Sequence, residues 1–65
     1  MKAIIHYAKP KWVESEGQKR QIYTEVVYGV GIAIHSKEDS VLELSDGTSL
    51  VLKSKDVSSI VVKEG

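Results

Sequence analysis

From Ile22 to His35 the chain alternates without interruption, and Ile22, Thr24, Val26, Tyr28, Val30, Ile32 and Ile34 fall on one face of an extended strand. At about 3.3 Å per residue such a strand is about 45 Å long, too long to stay straight in a chain of 65 residues. It must bend, and Gly29 and Gly31, both on the opposite face, are where a kink or bulge costs least. A second clear pattern follows: Val41 to Leu44 and Ser49 to Lys53 are apolar runs joined through Asp46-Gly47. Asp-Gly between β-rich runs predicts a tight hairpin, because Gly takes positive φ without a Cβ penalty and Asp tolerates it.

The remaining segments are shorter. Ala3 to Ala8 reads as the first strand and stops before Lys9-Pro10, since Pro lacks an N–H and restricts its predecessor. Lys9 to Gln21, polar and punctuated by Pro10 and Gly17, is expected to be a long loop and the most mobile segment. The alternative is a protruding hairpin in which Lys11 to Val13 pairs with Lys19 to Gln21 across Ser15-Glu16-Gly17. Ser36 to Asp39 has capping-box spacing but precedes strand-like alternation, which favours a simple turn. Ser54 to Ser58 is too short for an α-helix and fits one 3₁₀ turn, and Ser59 to Lys63 is the last strand.

The expected fold is therefore all-β, one domain over residues 1–65. Its order of strand, long loop, long bent strand, short loop, tight hairpin, one-turn helix and strand resembles the five-stranded SH3-like antiparallel barrels, with the Sm-like barrels as near relatives. The resemblance spans nearly the whole chain but lies in spacing and punctuation alone. The acidic, aromatic and proline motif of peptide-binding SH3 domains is absent, as are the residues with which Sm proteins hold a uridine. The competing architecture is a strongly curled sheet that closes only by dimerising. A superfold does not fix function.

Composition narrows the functional classes. A domain of this size buries only roughly 60% of its unfolded surface, and with no cysteine the chain has no disulfide or thiolate-metal staple. Self-association or a partner is the remaining common support. Nine basic and nine acidic residues balance, which argues against bulk attraction to nucleic acid or anionic membrane. The apolar run Ala3-Ile4-Ile5 meets His6 too early for a signal peptide or membrane span, so a cytoplasmic protein is expected.

Two surfaces stand out. If Leu42, Leu44, Leu50, Leu52, Ile60 and Val62 point inward, Val41, Val51 and Val61 point outward with Val27, an apolar set that a partner would cover. Lys9, Lys11, Trp12, Lys19 and Arg20, with Tyr23 beside them, combine basic and aromatic groups as single-strand nucleic-acid binders do. His6 and His35 have no convergent third ligand, and the serines and aspartates fall in turns, so no catalytic, cofactor or metal site is expected. The expected function is a noncatalytic protein–protein interaction module: a homo-oligomer, or an adaptor, inhibitor or regulator of a larger protein. The alternative is a single-stranded nucleic-acid binder using residues 9–20.

Overall fold

The computed structural model describes all residues 1–65 and contains six strands. They are β1 (Lys2–Ser15), β2 (Gln18–Tyr28), β3 (Val30–His35), β4 (Asp39–Leu44), β5 (Ser49–Lys53) and β6 (Val57–Lys63). A 3₁₀ turn over Ser54–Asp56 precedes β6, where a turn of that kind was expected. The strands form two three-stranded antiparallel sheets: sheet A in the order β2-β1-β6, and sheet B in the order β3-β4-β5. No backbone ladder closes them into a barrel.

The expected long strand is divided at Gly29, which gives six strands in place of five. Gly29 has a φ of +73°, a conformation that costs an L-residue about 1–2 kcal/mol. On one side of the corner the Val30 N–H donates to the Met1 carbonyl; on the other the Ser45 N–H donates to the Gly29 carbonyl, at 2.8 and 2.7 Å. One dipeptide thus hands the chain from sheet A to sheet B. Gly31 then sits in a bulge, because Val30 faces Leu44 while Ile32 already faces Glu43.

These two irregularities correct the expected single face. A one-residue slip moves side chains to the other side of a sheet, and Gly29 and Gly31 each introduce one. Val30 enters the core, whereas Val26 and Tyr28 before it and Ile32 and Ile34 after it remain exposed. The core is small: Ala3, Ile5, Val30, Leu42 and Val57 are buried. Leu44, Leu50, Leu52 and Ile60 pack against it as expected; Val62 remains exposed.

Residues Lys9 to Gln21 are not a loop. β1 and β2 continue past a break in their ladder and pair Lys11 with Ile22, Trp12 with Gln21, Val13 with Arg20 and Glu14 with Lys19. The protruding hairpin is the arrangement found. Its reversal is made by Glu16 and Gly17, with φ of +53° and +77°, two consecutive positive φ values as a two-residue primed turn requires. The Asp46-Gly47 hairpin reverses as anticipated. Gly47 has a φ of +91°, the Leu44 N–H donates to the Thr48 carbonyl, and Asp46 Oδ1 accepts from both the N–H and the hydroxyl of Thr48.

The corner and the bulge separate the two glycines experimentally. Gly29→Ala should lower stability by about 1–2 kcal/mol, because the φ is positive and the new Cβ would lie 3.3 Å from Ser45 Oγ. Gly31→Ala should leave stability unchanged or raise it, since its Cβ would meet only the Glu43 carbonyl at 3.6 Å. Thermal melts of both variants decide; equal losses at the two positions would contradict the division of roles.

Candidate functional site

Three surface features carry chemistry. The first is a cleft of about 380 Å³ between the two sheets. Its apolar lining comes from Tyr7, Pro10, Leu52 and Val57, and its charged lining from Lys9, Lys11, Lys53 and Asp56. It lies where the β1 ladders shift: pairing with β2 stops at His6 and resumes at Lys11, and pairing with β6 ends at Tyr7. The Tyr7 hydroxyl donates to Glu25 Oε1, and Lys11 Nζ sits 3.3 Å from the same oxygen and 5.5 Å from the Tyr7 ring centroid. Burial, reinforced by that bond to Glu25, pushes the Tyr7 hydroxyl pKa well above its ordinary value. The Tyr7 bond, helped by Lys11, holds the Glu25 carboxyl below its own. Tyr7 and Glu25 therefore fasten β1 to β2 at the root of the hairpin as hydroxyl donor and carboxylate acceptor.

The second feature is a pair of exposed apolar rows. On the outer face of sheet B, Ile34, Val41 and Val51 lie side by side across all three strands, with Ile32 in the next row. Ile32, Ile34 and Val51 are 53%, 51% and 60% exposed. On the outer face of sheet A, Val26, Ile4 and Val61 form the corresponding row, bordered by Lys2, Tyr28 and Lys63.

The third is a polar relay beneath the β3–β4 turn. Ser36 bonds the Asp39 carbonyl through both its N–H and its hydroxyl, so Ser36 to Asp39 is a simple turn. Ser54 ties that turn down: its N–H donates to Glu38 O and its hydroxyl to Ser36 O. Because the Ser54 proton is committed, the 2.9 Å contact between Ser40 and Ser54 requires Ser40 Oγ as donor. Ser40 is fully buried, and its oxygen must then accept from His35 Nδ1. The chain of bonds holds the imidazole in the tautomer protonated at Nδ1.

The anticipated site residues are dispersed. Val27 packs against the core instead of pointing outward. Val41 and Val51 are neighbours on sheet B, and Val61 belongs to sheet A, so the four valines form no single patch. Lys9 and Lys11 line the cleft, while Trp12 and Lys19 line a separate hollow with Glu14. Arg20 lies nearer the hairpin tip with Ser15, Glu16 and Gln18, and Tyr23 is exposed opposite the ladder break. His6 stands between Thr24 and Ser59 on sheet A, away from His35. The exposed isoleucines, the Tyr7–Glu25–Lys11 cluster and the serine relay were not anticipated. No protein-family model, curated protein or solved structure matches this chain.

The relay makes a spectroscopic prediction. Long-range ¹H–¹⁵N correlation should find neutral His35 protonated at Nδ1 in the wild type. In Ser54→Ala the Ser40 proton loses its acceptor and should turn to His35, shifting the ring to the Nε2–H form. An unchanged tautomer in the variant, or Nε2–H in the wild type, would contradict the assigned direction.

Proposed function

We propose that the chain is a noncatalytic, cytoplasmic protein-interaction module that associates with a second copy of itself through the outer face of sheet B. The observation that carries this reading is the row Ile34–Val41–Val51 with Ile32 beside it. Antiparallel sheets with one solvated face normally present polar residues there, and a contiguous apolar patch on such a face is typical of an interface. The amount of surface supports a second copy. The chain exposes 4775 Å², against about 4,100 Å² expected for a monomer of this mass. The excess approaches the roughly 800 Å² that each partner contributes to a standard interface. Sheet B is preferred to sheet A because Ile32, Ile34 and Val51 are each more exposed than Val26 and Val61; charged residues border both rows, Glu43 and the Asp39–Lys53 pair on sheet B, Lys2 and Lys63 on sheet A.

The finer architecture we propose is an SH3-like barrel opened along one seam. Support comes from the strand succession β6-β1-β2, continuing through the Gly29 corner into β3-β4-β5, and from the 3₁₀ turn before the last strand. A second reading, binding of single-stranded nucleic acid, is favoured by one feature: Trp12 is 63% exposed beside Lys19. Glu14 in the same hollow and the balanced charge weigh against it.

Sedimentation equilibrium tests the first reading. The wild type should be dimeric at about 100 μM and dissociate on dilution, and Val51→Lys should sediment as a monomer with an unchanged circular dichroism spectrum. A monomeric wild type, or a Val51→Lys protein that associates as before, contradicts it. A salt-sensitive complex with short oligonucleotides, lost on substituting Trp12, would favour the second reading.

A further inference from the structure

The cleft between the sheets combines three features of a peptide site. First, its walls carry unpaired backbone. Of its lining residues Lys9 and Pro10 have no ladder partner in either β2 or β6, and β5 is paired along one edge only, to β4. Second, its apolar lining of Tyr7, Pro10, Leu52 and Val57 encloses about 380 Å³. Third, its lining carries three lysines and one carboxylate, Asp56, and one of those lysines is unanswered. Glu25 answers Lys11 at 3.3 Å and Asp39 answers Lys53 at 3.7 Å, whereas Lys9 has no carboxylate within 4.0 Å.

We propose that this seam binds an extended segment of another protein in which acidic and apolar residues alternate, added as a strand beside β5. Strand addition matches free backbone groups with those of the incoming segment, and pockets for alternate side chains select its sequence. Here the apolar side chains enter between Leu52 and Pro10 while the carboxylates meet Lys9 and Lys53. The aromatic geometry disfavours a nucleic-acid strand as occupant. The one aromatic ring in the cleft, Tyr7, has Lys11 over one face and its hydroxyl bound to Glu25, so a base would have to compete with Lys11 there. Trp12, the exposed aromatic, lines a different hollow.

The probe is the blocked peptide acetyl-Glu-Val-Glu-Leu-Glu-amide, with the same peptide carrying Lys for Glu and a ten-nucleotide oligo-dT as comparisons. Lys53 shares one face of β5 with Val51, so the titration is also run on Val51→Lys, where the Glu peptide should still shift the seam even if self-association is lost. In ¹H–¹⁵N spectra at up to about 1 mM probe, the Glu peptide should give saturable shifts at Tyr7, Lys9, Lys53 and Val57, and the Lys peptide none there. The double variant Lys9→Glu, Lys53→Glu changes two exposed side chains and should bind the Glu peptide about tenfold more weakly. Raising salt should weaken the wild-type complex in the same direction. Absence of seam shifts with the Glu peptide, equal response to the Lys peptide, or seam shifts from oligo-dT alone would each overturn the proposal.

Discussion

Everything in this molecule depends on the corner at Gly29 and Val30. A 65-residue chain with five buried apolar residues has little apolar burial to hold two sheets in place. At the corner, backbone bonds run in both directions from adjacent residues: Val30 N–H to Met1 in sheet A, and Gly29 carbonyl to Ser45 in sheet B. The Val30 side chain enters the core at the same point. A backbone conformation that glycine tolerates thus joins ladder, turn and core. On the seam side the 3₁₀ turn adds further ties through Ser54, to the Ser36–Glu38 segment and to Ser40.

The same corner explains the surface. Each slip at Gly29 and Gly31 reverses which side of the sheet the following residues occupy, and the second sends Ile32 and Ile34 out to join Val41 and Val51. An unbroken strand would have turned them inward with Val30. Both the exposed apolar face and the open seam follow from how this chain makes its bend. Extension adds to this: the radius of gyration is 12.1 Å, against about 10.7 Å for a compact chain of this length.

Local chemistry was legible in the sequence, and long-range register was not. Asp46-Gly47, the one-turn helix at Ser54, and the roles of Gly29 and Gly31 as bend and bulge could be read because each rests on one or two residues. The hairpin at Lys9 to Gln21 was harder to choose over a loop, because its turn places Glu16, an uncommon residue for positive φ, before Gly17. The orientation of Val27 depended on parity slips that alternation alone does not reveal. Tyr7 and Glu25, and Ser40 and Ser54, are distant in sequence; each looks like an ordinary strand or turn residue until the register brings it to its partner.

If the corner holds the sheets together, the amides bonded across it must open only with the whole domain. Native-state hydrogen exchange reads this directly at the Val30 and Ser45 N–H groups. Both are expected to exchange as slowly as the slowest ladder amides of β1 and β4, with the same dependence on denaturant. Exchange as fast as the hairpin amides near Gln18 and Lys19, with the β4 ladder still protected, would mean that the sheets part independently and that the corner does not hold them.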